Sequence, residues 1–191
     1  MPASTTLKSE VKGAKSVKLT WEKVSGADGY AIYRKVSGQD EFKNIKTVEG
    51  GSKTSYTDKS LTTGTKYVYQ IRAYCNTGSG KVWGDYSNET TVTPTIAAPS
   101  GVTVTNTSYN SITIDWEKVS SADGYKVLRA TSLNGKYKTV ATIKASSART
   151  YTDKKLSVGQ TYYYKVCAYT TISGKKVNGL YSEIKEVSAV A

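Results

Sequence analysis

The 191-residue chain has no histidine, one phenylalanine, two cysteines, three prolines and four arginines. Without histidine it lacks both the commonest general acid or base near neutral pH and the commonest nitrogen ligand for metals. It contains no Gly-x-Ser-x-Gly, no phosphate-cradling glycine loop and no Cys-x-x-Cys pair, and Gly78-Ser79-Gly80 is too short and follows the wrong kind of element. Asp115 and Glu117 share a strand face beside Trp116, but they read as a solvated surface rather than an acid–base pair. An enzyme is therefore not expected, nor a cofactor, nor a metal.

The other scarcities exclude further classes. Two cysteines are too few for a disulfide framework, and strand parity points Cys75 inward and Cys167 outward, which argues against a bridge between them. No run of about 18 apolar residues is present to span a membrane as a helix. Met1-Pro2 opens the chain without a charged and apolar leader, so any signal or anchor of an exported parent is expected outside this stretch. The net charge of +12 divides as +5 over residues 1–95 and +7 over 96–191, with lysines spread along the whole chain. Few arginines and no basic cluster alternating with exposed aromatics argue against nucleic acid. Loose attraction to anionic surfaces such as teichoic acid or acidic polysaccharide, or lysines guarding edge strands, accounts for the charge.

What the chain does have is repetition. Residues 21–30 read WEKVSGADGY and residues 116–125 read WEKVSSADGY, 95 positions apart. The same offset carries Tyr56-Thr57-Asp58 to Tyr151-Thr152-Asp153, Leu61 to Leu156, Gly64 to Gly159, Tyr67 to Tyr162 and Tyr86-Ser87 to Tyr181-Ser182, with no gap. Roughly 100 residues is a folding unit rather than a solenoid repeat, so two domains of one fold are expected, 1–95 and 96–191.

Within each copy the period is two. Val17, Leu19 and Trp21 alternate with Lys18 and Thr20, and Ile112, Ile114 and Trp116 do the same. Along residues 67–75, Tyr67, Tyr69, Ile71, Ala73 and Cys75 lie on one face and Val68, Gln70, Arg72 and Tyr74 on the other. Short strands punctuated by turn signals, with no helical periodicity, predict an all-β sandwich.

A Trp ending the second strand, a Tyr opening the third, LTTGTKYVYQIRAY with its copy LSVGQTYYYKVCAY, and the closing YSNETTVTP and YSEIKEVS together resemble the fibronectin type III module, over nearly the whole chain. The resemblance implies two tandem immunoglobulin-like sandwiches of about seven strands each. It also implies that Tyr67 and Tyr162, each closing a Leu-x-x-Gly-x-x-Tyr stretch, are tyrosine corners whose hydroxyls bond to backbone upstream. The Lys- and Tyr-rich wording is similar to modules of Gram-positive surface and secreted proteins, which implies an extracellular, cell-surface or secreted, setting.

Trp21 and Trp116 fall on the apolar parity of their strands and are assigned to the core as structural residues. Asp28-Gly29 and Asp123-Gly124 read as turn chemistry, since one carboxylate per loop is too few for calcium. Asn88-Glu89-Thr90 and Asn106-Thr107-Ser108 fit the glycosylation pattern, and neither hairpin loop carries Arg-Gly-Asp. Tyr33, Val68, Tyr74, Tyr163 and Tyr169 fall on outward parity. Trp83 has Asn178 as its counterpart, so the scaffold does not require it. Trp83 with Tyr33 and Tyr74 is the candidate ligand-binding set.

The leading functional expectation is a monomeric, non-catalytic spacer and interaction pair whose partners are other domains of its parent chain. The short joint around Pro94 and Pro99 suits restricted bending. The alternative is an adhesion module that binds a cell-wall or host glycan, or a surface protein, through Trp83. No nucleic acid and no membrane insertion are expected in either case.

Overall fold

The computed structural model describes residues 1–190, which form sixteen strands and no helix. The chain divides into compact units Met1–Thr95 and Ile96–Ala191. In the first, β1 (Leu7–Gly13), β2 (Ser16–Trp21) and β5 (Ser55–Asp58) make a three-stranded antiparallel sheet in the order β1-β2-β5. Strands β3 (Gly29–Val36), β4 (Lys43–Glu49), β6 (Tyr67–Thr77), β7 (Gly80–Tyr86) and β8 (Thr90–Val92) make a five-stranded sheet ordered β4-β3-β6-β7, with β8 also pairing β6.

The second unit repeats this arrangement. Its smaller sheet is β13 (Thr150–Asp153), β10 (Ser111–Asp115) and β9 (Thr103–Ser108). Its larger sheet is β12 (Lys138–Ile143), β11 (Gly124–Ala130), β14 (Thr161–Ile172) and β15 (Lys175–Tyr181), with β16 (Lys185–Ser188) on β14.

The period-two residues meet between the sheets. Val17, Leu19 and Trp21 from β2 pack with Tyr30 and Ile32 from β3, Tyr67, Tyr69 and Ile71 from β6, and Leu61. Ile112, Ile114, Trp116, Tyr125, Val127, Leu156, Tyr162, Tyr164 and Val166 are the buried equivalents in the second unit.

Each unit has eight strand segments rather than about seven, because its last strand is broken at a serine. Ser87 donates its N–H to the carbonyl of Ile71, while its Oγ accepts from the Ile71 N–H and donates to the Asn88 carbonyl. A side-chain oxygen thus replaces a ladder carbonyl, and β7 and β8 become separate pieces. Ser182 does the same with Val166. Asn88 then clasps β1, accepting from the Leu7 N–H at 2.8 Å and donating to the Leu7 carbonyl at 3.1 Å, so its amide already serves the fold.

The repeated decapeptide is a self-tied loop. Trp21 at its start packs on Tyr30 at its end, ring centroids 5.2 Å apart, and the Tyr30 hydroxyl accepts from the Val24 N–H and donates to the Gly51 carbonyl. Trp116, Tyr125 and Val119 repeat the arrangement, with centroids 5.4 Å apart. Asp28 and Asp123 each turn a carboxylate onto the backbone, accepting from the N–H of Asn76 and Thr171 respectively, both at 2.6 Å. The one difference within the decapeptide, Gly26 against Ser121, sits at positive φ in both copies (72° and 65°), so the serine carries backbone strain that the glycine does not.

Both tyrosine corners are in place. The Tyr67 hydroxyl accepts from the Thr62 N–H at 3.1 Å, the Tyr162 hydroxyl accepts from the Ser157 N–H at 3.0 Å, and both rings are buried. Tyr67→Phe keeps the ring and orphans that N–H, so it is expected to cost about 1 to 3 kcal/mol in urea unfolding. An unchanged midpoint would show that the bond does not hold the corner.

Candidate functional site: the outward face of the larger sheet

Facing away from the core, β3 and β6 of the first unit present Ala31, Tyr33, Gln70, Arg72 and Tyr74. The register sets Tyr33 opposite Gln70, Ala31 opposite Arg72 and Gly29 opposite Tyr74; across the other edge of β6, Arg72 faces Tyr86 and Tyr74 faces Trp83. The register shift on β7 between these last two pairings gathers Trp83 and Tyr86 around one cation. The Arg72 guanidinium carbon lies 4.4 Å from the Trp83 ring, 4.9 Å from Tyr86 and 5.4 Å from Tyr33. Its Nε donates to the Tyr33 hydroxyl at 3.1 Å, and the Tyr33 and Tyr86 rings meet edge to face at 5.3 Å. Partial burial, followed by the neighbouring Tyr33 hydroxyl, raises the Tyr86 pKa above its ordinary value.

The expected ligand set is brought together, but one member is covered. Tyr33 and Trp83 are half-buried, whereas Tyr74 is 2 % exposed. Its ring lies over Gly29, where a Cβ would come within 2.6 Å of the hydroxyl oxygen, and it is flanked by Trp83 at 5.2 Å and the Lys81 ammonium at 4.1 Å. Tyr74 therefore fills the hollow over a glycine instead of offering itself to a ligand.

Tyr169 is the same feature in the second unit, over Gly124 and beneath Lys176, and is equally buried. Val68, opposite Lys35 on β3 and Thr91 on β8, is also buried, while Tyr163 is half-buried. Cys167 corrects the parity expectation: it leaves β14 outward, yet is fully buried between cross-strand partners Lys126 and Tyr181. Burial raises its thiol pKa. Cys75 is half-exposed, with its thiol on the Gly26 carbonyl, and both cysteines are free.

The second unit builds its outward face from other residues. Lys165, counterpart of Gln70, sits 4.2 Å from the Tyr137 ring and 4.5 Å from the Tyr181 ring. Leu128, Cys167 and Asn178 stand where Tyr33, Arg72 and Trp83 stand in the first unit.

One polar constellation went unread in the sequence. The buried Asp58 carboxylate accepts from the Arg34 guanidinium and from the Tyr69 hydroxyl, both at 2.8 Å, and Arg34 also lies 5.2 Å from the Tyr67 ring. Asp153, Arg129, Tyr164 and Tyr162 duplicate it, with bonds of 2.8 and 3.0 Å. Burial first, then the hydrogen bond and charge of Asp58, push the Tyr69 pKa far up; Tyr164 is raised likewise. Arg34 from the larger sheet and Asp58 from the smaller one are thereby tied together, with Tyr69 on the same carboxylate oxygen, and Arg129, Asp153 and Tyr164 do the same in the second unit. Among the described residues no three His, Cys, Asp or Glu side chains cluster as metal ligands.

The sequence model of the fibronectin type III domain matches residues 2–93 and 97–179. The chain is 30% identical over 138 residues to exoglucanase B of Cellulomonas fimi, a match covering 70% of this chain and 12% of that protein. It is 29% identical over 126 residues to the poly(3-hydroxybutyrate) depolymerase of Ralstonia pickettii, covering 66% of this chain and 22% of the other. The chain thus spans a small part of the curated relatives it matches. Among solved structures, a two-domain fibronectin type III segment of chicken tenascin superposes with a TM-score of 0.52 at 21% identity, covering 98% of this chain and 99% of that one, a likeness of fold.

Proposed function

The chain belongs to the fibronectin type III family, and on that premise we propose that it is a non-catalytic spacer and interaction pair within a bacterial cell-surface or secreted protein. In this reading it holds another domain of the parent chain at a distance from the cell or from a polymeric substrate. The carrying observation is how the repeat is used. Trp21 and Trp116, Tyr67 and Tyr162, Asp58 and Asp153, Arg34 and Arg129, Ser87 and Ser182 are each explained by packing or hydrogen bonds inside their own unit. What the two copies share is scaffold, and a shared catalytic centre is not among it. The two relatives add support, since both names denote enzymes that cut a polymer and the match covers only a minor share of each.

The test is co-sedimentation of the chain with crystalline cellulose and with a Gram-positive cell-wall preparation at about 0.15 and about 0.5 M salt, between which the screening length falls from ~8 Å to a few ångströms. The spacer reading expects no retention to survive the higher salt. Adhesion through Trp83 expects salt-resistant retention that Trp83→Ala abolishes without lowering the melting temperature. With Arg72 on the Trp83 ring and Tyr74 beside it, the expected effect of Trp83→Ala is instead a lower melting temperature and unchanged retention.

A further inference from the structure

Apart from Arg34 and Arg129, which face inward to Asp58 and Asp153, every cation resting on an aromatic ring lies on the outward face of a larger sheet. In the first unit these are Lys35 on Phe42, Arg72 among Tyr33, Trp83 and Tyr86, and Lys81 on Tyr74. In the second they are Lys165 between Tyr137 and Tyr181, and Lys176 on Tyr169. Lys126 stands beside Lys165 on the same face, the two lysines flanking Cys167. The register places Glu49 opposite Gly29 and Glu186 opposite Tyr163, and Asp85 lies on β7 between Trp83 and Tyr86.

The two faces share one inherited pair, Lys81 on Tyr74 recurring as Lys176 on Tyr169, and one inherited ring, Tyr86 recurring as Tyr181; the rest differs. Arg72 aligns with Cys167, Gln70 with Lys165 and Trp83 with Asn178. These positions differ, yet a cation still lies against the shared ring, Arg72 on Tyr86 and Lys165 on Tyr181. A lysine or arginine stem lying on a ring holds its charge in place and loses less rotamer freedom when it meets an anion.

We propose that this face, in each module, docks an acidic polysaccharide, whose spaced carboxylates pair with the ring-supported cations. Charge complementarity carries the choice: Lys35, Arg72 and Lys81 against Glu49 and Asp85 in the first module, and Lys126, Lys165 and Lys176 against Glu186 in the second. Single-stranded nucleic acid would need open ring faces for its bases, and here the modules' own cations lie on the rings, 4.4 Å above Trp83 and 4.1 Å above Tyr74. The tyrosine hydroxyls at the rim, with Tyr86 and Tyr181 the most exposed, are suited to sugar hydroxyls.

The experiment measures binding of the full chain to polygalacturonate at about 0.05 M salt, where surface charges are weakly screened. The double variant Arg72→Gln/Lys165→Gln is expected to weaken binding about tenfold. The control Lys59→Gln/Lys154→Gln removes the same charge from exposed turns following the smaller sheets' β5 and β13, and is expected to weaken binding less than about twofold. The charge-keeping pair Arg72→Lys/Lys165→Arg, with melting temperatures for all variants, separates loss of charge from loss of folding and is expected to retain binding. Equal weakening by the two glutamine pairs would overturn the proposal in favour of net charge alone. Tighter binding of an oligodeoxythymidylate of matched charge would overturn it in favour of nucleic acid. A folded charge-keeping pair that fails to bind would overturn it as well.

Discussion

Trp116→Ala is expected to remove about 3 to 5 kcal/mol from its module, a large share of the stability of a domain this small. The ring is 3 % exposed. It continues the inward row begun by Ile112 and Ile114 and packs against Tyr125, whose hydroxyl ties down the loop between them. Removing it empties the middle of the core and also loosens that loop. At about 4 to 8 °C per kcal/mol for a domain of this size, the melting temperature should fall by roughly 12 to 40 °C. Trp21→Ala is expected to do the same to the other module.

Among the described residues no protein group accepts from either indole nitrogen, and with the ring packed on Tyr125 Trp116→Phe should cost distinctly less than Trp116→Ala. Urea or thermal unfolding followed by circular dichroism reads both. If the modules unfold independently, only one of two transitions moves in each variant, whereas movement of both together would show them coupled. A cost below about 1 kcal/mol, the range of surface changes, would place the ring outside the core.

The repeat, the alternation and the decapeptide made the sandwich legible because each acts at short range. A period of two states which side of a strand a side chain leaves. It does not state what lies across that side chain, and the errors fall there. Tyr74, Tyr169 and Cys167 leave their strands outward as parity requires, but β6 and β14 are central strands whose neighbours reach over them. Gly29 and Gly124 open hollows that the two tyrosines fill.

The role of Trp83 was half-legible: the mismatch with Asn178 marked it as unnecessary to the scaffold, but its partner is Arg72, brought beside it by a register shift on β7 that no local spacing encodes. The buried carboxylate network was missed for a related reason, since Arg34 and Asp58 are 24 residues apart and lie on different sheets. A signal did exist. In a chain that uses lysine almost everywhere, arginine recurs at 34 and 129, and aspartate closes both Tyr-Thr-Asp triplets. Where a flexible ammonium would serve on a surface, repeated arginine marks a planar donor held in a fixed, part-buried geometry.

That network sets the second large effect. Asp58→Ala leaves the Arg34 guanidinium and the Tyr69 hydroxyl, both bonded to one carboxylate oxygen, without their acceptor. Breaking this part-buried pair from one side is expected to cost about 2 to 4 kcal/mol, below the cost for a fully buried pair because Arg34 keeps 31% of its side chain in water. Asp58→Asn retains an acceptor oxygen without the charge and should fall between alanine and the wild type.

The same network makes stability depend on alkali. The Tyr69 pKa is raised in the fold, first by burial and then by Asp58, so the hydroxyl stays neutral at a pH where the unfolded chain ionises it, near 10. For a group whose folded pKa is raised, the stability contribution is complete below the unfolded value and is lost as pH climbs past it toward the folded one. Above pH ~10 each such tyrosine should therefore remove about 1.4 kcal/mol per pH unit, Tyr69 in one module and Tyr164 in the other. In the first module, urea midpoints taken between about pH 8 and 11.5 should be level and then descend, with Tyr69→Phe flattening that descent; in the second, the raised thiol pKa of the buried Cys167 starts the descent earlier, from about pH 8.5. A descent of unchanged slope in Tyr69→Phe would assign the alkaline loss to groups outside this network.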